Sequence, residues 1–264
     1  MRAYLSLLRA RMLTLLQYRG AAIAGVITQL FWGLIRMMVF TAFYASGNAG
    51  GASMSLPQTV GYVWLGQAFL LLVPWTIDKD LAEQFRSGGI AYELVRPLDL
   101  YSLWFVRVLS VRVAPLVMRA VPIILAAALF FGLPPPPSIY ALLASVLSFL
   151  LAIILSTAVA TFVTVTLFWT VDGTGLDNFI ASPFMFLSGL VVPLPLFPVW
   201  AQQILGVLPF SLIIDVPFRF YLGHLQPEHI GEKLLLQAGW IIILVVFGRV
   251  LTSRGLRRTV VQGG

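Results

Sequence analysis

The chain has 264 residues, of which 59% are hydrophobic and only 10% charged, with a mean hydropathy of +0.95. Soluble domains carry about 25% charged residues, so this composition excludes an ordinary water-soluble enzyme and defines an integral membrane protein. The absence of cysteine excludes a disulfide framework, a cysteine-ligated metal and a thiol nucleophile. The formal charge of +7 does not point to nucleic acid, because in such a chain the placement of positive charge matters more than its sum.

Residues 2–19 are expected to form an amphipathic helix on the membrane surface, with Arg2, Ser6, Arg9 and Gln17 on one face and Leu5, Leu8, Leu15 and Leu16 largely elsewhere. The N-terminus lacks the apolar core and small-residue cleavage site of a removable signal peptide, so the first span is expected to direct insertion. Six spans of about 20 residues are predicted near 21–45, 58–76, 111–132, 139–169, 179–193 and 234–251. The chain reads as one domain, 1–264, without internal repeats.

Asp78–Leu98 is the long polar interruption of the first half. Asp80 and Glu83 stand at capping-box spacing, Leu81 and Phe85 share one face at i, i+4, and Gly88-Gly89 stops the helix. Pro97 then forces an extended step and ends a second short segment. A capped polar helix between spans reads as a docking element, with Asp80, Glu83, Phe85, Arg86, Gly88 and Glu93 as its candidate residues; an ordinary solvated loop is the plainer alternative.

Arg36 and Arg119 fall inside apolar spans, where a central arginine costs about 3 kcal/mol on insertion scales. They are expected to face protein or water, on a substrate path or a subunit interface, and Arg119 also has room to snorkel. Pro115 and Pro122 bracket Arg119 and predict a kink. After the short fifth span, residues 193–209 carry Pro193, Pro195, Pro198 and Pro209 and no charge. A continuous spanning helix would lose too many backbone hydrogen bonds at that density. A re-entrant or interfacial outer hairpin is expected instead, with Trp200 near headgroup level. The wetter stretch that follows holds Asp215, Arg219, His224, Glu228, His229 and Glu232.

With the N-terminus in the cytoplasm, twelve of the Lys and Arg residues lie inside and only Arg219 and Lys233 outside, so both termini and the docking element are expected to be cytoplasmic. No G-x-x-x-x-G-K-[ST], H-E-x-x-H or G-x-S-x-G is present. His224 and His229, five apart across Pro227, read as solvated loop residues rather than as metal ligands.

The run Glu83, Gly88, Gly89, Ile90, Leu94 and Pro97 resembles the cytoplasmic loop of ABC-2-type transporter permeases, with Gly89 in place of the usual threonine. Gly189, Pro193, Pro198, Trp200 and Pro209 are similar to the run after the fifth span of the same permeases, and the resemblance extends over nearly the whole chain, closest to a bacterial subgroup of short permeases. It implies an all-α membrane domain of six spans and an exporter half-transporter in a bacterial inner membrane. Two permease chains, identical or related, would form the pathway, and two copies of a cytoplasmic ABC ATPase would bind ATP and Mg beneath them. This chain itself would bind no cofactor. Spans rich in Phe, Leu and Val favour an amphipathic or hydrophobic cargo. The alternative from the residues alone is a membrane-embedded enzyme acting on lipid or sugar at the outer face, with Asp215, His224, Glu228 and His229 as acid–base groups.

Overall fold

Tyr18, held at a non-helical ψ of 51°, separates α1 (Arg2–Leu16) from α2 (Arg19–Ala45), so the predicted surface helix is an element distinct from the first span. The computed structural model describes residues 2–47, 51–74, 79–95, 97–170 and 182–257. Among these residues there is helix and no strand. α1 packs along the start of α6 (Leu100–Phe130), where the Tyr4 hydroxyl accepts the Asp99 backbone N–H at 2.9 Å. α2 is apolar nearly all round: Ile23, Ile27, Phe31, Ile35 and Met38 are exposed, and the buried residues are Ala22, Gln29 and Gly33. A helix with that exterior is at home in lipid or against another apolar surface, not in water.

Ser55 opens α3 (Leu56–Ala68) with a capping box, accepting the Gln58 N–H while the Gln58 side chain accepts the Ser55 N–H at 3.0 Å. From Thr59 onward α3 is buried. It ends at Phe69 in a 3-10 turn, Leu70–Leu72, and Val73 is extended. Of the predicted second span, 58–76, residues 75 and 76 lie outside the described residues, and the described part is a broken segment: 13 residues of α-helix reach about 20 Å, short of about 30 Å of hydrocarbon.

α4 (Lys79–Arg86) and α5 (Ile90–Leu94) follow, divided by Gly88 at φ +74°, a left-handed stop that glycine takes without strain. Gly89 is right-handed at φ −62° and has no part in that turn. α4 begins at Lys79, so Asp80 stands inside the helix rather than at the expected N-cap, and Glu83 pairs with Arg86 at 3.2 Å.

α6 is the structural axis. Asp99 caps it by accepting the Ser102 N–H at 2.9 Å, and it runs 31 residues through Pro115 and Pro122. That is about 46 Å, so the helix outreaches the hydrocarbon and continues well before the predicted start at 111. The reason is that Arg107 and Arg112 are buried and partnered rather than interfacial. Ser138 caps α7 (Ile139–Val165), which a short α8 (Leu167–Thr170) prolongs. Small residues such as Ala144, Ser148, Ala152 and Ser156 let neighbouring helices approach α7 closely.

Residues 182–187 form α9, and of the predicted fifth span, 179–193, residues 179–181 lie outside the described residues. The described part is not one crossing helix: Gly189, at φ +83°, turns the chain, and short pieces follow. These are a 3-10 turn at Leu194–Leu196, α10 (Val199–Leu205), α11 (Pro209–Ile213) and α12 (Asp215–Tyr221). α13 (Ile230–Leu256) closes the fold against α7. Among the described residues four helices, Arg19–Ala45, Leu100–Phe130, Ile139–Thr170 and Ile230–Leu256, are long and apolar enough to cross a membrane.

Two large apolar cores and a small third cluster, Leu194, Ala201 and Leu205, result among the described residues. The larger is built around Trp64, Ile123, Leu155, Phe184 and Phe218. The smaller lies where α1, α4, α5 and the ends of α6, α8 and α13 meet, around Leu81, Trp104 and Val165.

Candidate functional site

α4 and α5 are fastened to α6 from below. The Glu93 carboxylate of α5 is only 6% exposed, pairs with the Arg107 guanidinium, and accepts the Trp104 Nε1–H at 3.0 Å. Leu81 is fully buried, and the Phe85 ring meets Phe168 and Trp104 edge-on at centroid distances of 5.0 and 5.8 Å. Phe85, a candidate docking residue in the sequence, is thus an anchor pointing into the smaller core rather than a contact offered to a partner. An amphipathic helix of 8 residues buries its apolar stripe when a core is within reach. The outward surface carries Asp80, Glu83 and Arg86, with Tyr92 and Val95 exposed beside them. Asp80 also lies 3.9 Å from Arg11 of α1. Tyr92 and Val95 escape a sequence reading, since nothing in their spacing separates an exposed apolar residue from a buried one.

The two membrane arginines share one cleft of about 630 Å³ between α2, α3, α6 and the stretch after α9. Its α2 wall is Gly25, Gln29, Trp32 and Arg36; Gln67 and Arg119 line it as well, and Leu70, Met185 and Val191 are apolar. Arg36 donates from Nη2 to the Leu190 carbonyl and, at 2.6 Å, to the Val191 carbonyl. These are carbonyls of its own chain, freed where Gly189 ends the helical path. Arg119 donates a long bond, 3.4 Å, to the Ala21 carbonyl. A side chain at Gly25 would stand 2.5 Å from the Arg119 guanidinium carbon, so this glycine makes room for the cation. Pro193 is buried, whereas Pro198 and Trp200 are exposed at the start of α10. The bend between Pro193 and Pro198 is tied by Gln202, whose amide donates to the Pro195 carbonyl at 3.0 Å and the Phe197 carbonyl at 2.7 Å.

A third arrangement runs from α3 through α12. Tyr62 donates to Asp215 at 3.0 Å, Arg219 pairs with Asp215 at 3.3 Å, and Arg219 Nε donates to His224 Nδ1 at 3.1 Å. With Nδ1 accepting, Nε2 carries the proton and donates to the Ser53 carbonyl at 3.0 Å. The i, i+4 spacing of Asp215 and Arg219 is a legible signal for their pairing; Tyr62 has none. Glu228 and His229 are exposed and make no side-chain contact with this chain of groups among the described residues. Of the four acid–base candidates of the enzyme alternative, Asp215 and His224 are bridged by Arg219, whereas Glu228 and His229 stand apart, and no cluster of potential metal ligands occurs among the described residues.

Long apolar helices around small-residue contacts, a polar helix pair clamped to one of them, and arginines facing an internal cleft define a multi-pass α-helical membrane protein. The family described as ABC-2 family transporter protein matches residues 30–263, and the chain belongs to it. No curated protein matches the chain. It is a permease subunit of a family whose members generally work with an ABC ATPase.

Proposed function

We propose that this chain is the membrane half of an exporter, driven by a separate cytoplasmic ATPase, that moves an amphipathic or hydrophobic substrate out of the cytoplasm of a bacterium. The observation that carries this reading is the Glu93–Arg107 pair. It joins a short, exposed polar helix pair to a spanning helix of 31 residues, so a push on α4 and α5 is transmitted to α6 rather than dissipated in a loop. Asp80, Glu83, Arg86, Tyr92 and Val95 form the surface the ATPase meets, Gly88 sets the turn between the two helices, and Phe85 and Glu93 anchor it. The excess of positive residues at this end supports a cytoplasmic placement, with both termini on the same side. Two ATPase copies, carrying ATP and Mg, and a second permease chain complete the assembly, and this chain supplies no nucleotide site or catalytic group.

The test is capture of the chain from its native membrane, followed by ATPase assay in reconstituted vesicles. An ABC ATPase that co-purifies, and whose hydrolysis loses its substrate stimulation when Glu83 and Arg86 are both changed to alanine, is the expected result. Capture without any ATPase, or coupling unchanged in the double variant, overturns the reading.

A further inference from the structure

We infer that the arginine cleft recognises an anionic amphiphile whose head also carries a hydrogen-bond donor, of the phosphoglycerol type. As the substrate site of the exporter, this rests on the permease reading and names the chemical class of its cargo.

Gly25, Gln29, Trp32 and Arg36 recur at helical spacing on one face of α2 and all line the cleft. From Gly25 to Arg36 is eleven residues, about 16 Å along the axis, so the cleft is an elongated groove with a cation toward each end. Cation without carboxylate is the lining's charge pattern: neither Asp nor Glu is among its residues. The two arginines differ in how well they are satisfied. Arg36 is engaged by two carbonyls, while Arg119 makes only the 3.4 Å bond to Ala21, and its buried Nε donates to no partner. One turn along α2 from Gly25, which touches the Arg119 guanidinium, stands Gln29. It is 5% exposed, and its buried Oε1 accepts no hydrogen bond.

An unmade bond at a buried polar atom is costly, and here a donor and an acceptor are left open one helical turn apart in a groove that is otherwise largely apolar. A phosphate oxygen meets the donor, Arg119 Nε, with charge assistance. A hydroxyl on the same head meets the acceptor, Gln29 Oε1. The tail then lies along Trp32 and Leu70 toward Arg36. A purely hydrophobic ligand leaves both atoms unpaired, and a free anion leaves the groove's apolar length uncovered.

The probes are dodecyl phosphoglycerol, dodecyl phosphocholine, whose head keeps the phosphate and lacks any hydroxyl, and glycerol phosphate, titrated calorimetrically into the purified chain in neutral detergent. Saturable binding of the phosphoglycerol lipid, about tenfold tighter than the choline lipid and not displaced by glycerol phosphate, is expected; tenfold is the scale of one hydrogen bond, here the hydroxyl to Gln29. Arg119→Gln and Gln29→Leu each weaken it to the level of the choline lipid. Gly25→Ala, which displaces the guanidinium while keeping its charge, weakens it as well, and Arg9→Gln on α1 leaves it intact. Equal affinity for the two lipids, displacement by glycerol phosphate, indifference to the Arg119 and Gly25 variants, or an equal loss with Arg9→Gln overturns the inference. Binding requires no ATPase, so the two readings fail separately. A captured ATPase with no lipid preference removes the phosphoglycerol site alone, and lipid preference without any ATPase removes the exporter alone.

Discussion

The Glu93 carboxylate of α5 and the Arg107 guanidinium of α6 form a buried ion pair, with the Trp104 indole N–H as a third member. Taking two charges out of water is expensive, and a buried pair adds little net stability over apolar groups of the same shape. Removing one partner is different, because it strands the other charge. Glu93→Ala is expected to cost about 3–5 kcal/mol, seen as a large fall in melting temperature in detergent. The double change Glu93→Leu with Arg107→Met restores most of that stability while ATPase coupling stays lost. Recovery of coupling together with stability would assign the pair a packing role only.

Phe85 and Glu83 lie two positions apart and are expected to behave oppositely. Phe85→Ala empties part of the contact with Trp104 and Phe168, and large-to-small changes of buried aromatics cost about 3–5 kcal/mol, the lower end applying to this half-buried ring. Glu83 is 66% exposed in its pair with Arg86, and such pairs contribute about 0–1 kcal/mol. Glu83→Lys is thus expected to leave the melting temperature in place and to weaken ATPase capture. A stability loss with Glu83→Lys matching that of Phe85→Ala would reverse the two assignments.

The long spans were legible because composition over a window suffices for them, as were the glycine stop at Gly88 and the proline-broken path after Gly189. What a window cannot see is a partner. Arg107 meets an acid fourteen residues away, Arg112 meets Ser156 on α7 at 2.9 Å, and Arg36 meets a carbonyl 154 residues away. Each charge counts against a span until its partner is known, so a reading from sequence starts α6 at 111 where the helix begins at Leu100. Phe85 is a different case. Its i, i+4 relation to Leu81 already marked the apolar face of a short helix, and such a face turns inward. The Asp215, Tyr62 and His224 chain was readable only at its Asp215–Arg219 step.

His224 supplies a pH prediction. Partial burial, and then the neighbouring Arg219 charge, hold its imidazole below the ordinary histidine range, against a smaller opposing effect of the Ser53 carbonyl. Asp215 and Tyr62, the other titratable groups of this series, lie on the far side of Arg219. The folded state therefore binds fewer protons than the unfolded chain between the two pKa values. The stabilisation from neutral His224 is complete above about pH 6.5, the unfolded value, and is lost as pH falls toward the lowered folded value. Melting temperature is expected to drop between neutral and mildly acidic pH, and His224→Gln to flatten that drop. An equal drop in the variant would place the titration elsewhere.

The outward face of α2 bears on assembly. Leu34 and Met37 pack against the larger core, whereas Phe31, Ile35 and Met38 are exposed, and Arg36 is held by carbonyls of its own chain. If the proposed second permease chain meets this face, the stripe it covers is apolar and needs no acid from the partner to neutralise Arg36. The natural absence of cysteine makes this directly measurable. Single cysteines at Phe31, Ile35 and Met38 are expected to cross-link two permease chains in native membranes, and those at Leu34 and Met37 are not, a helical pattern set by the side of α2 that faces away from its own core. Cross-linking at all five positions would mean that α2 leaves the core in the assembled state. Cross-linking at none, in membranes that still transport, would move the interface to another helix.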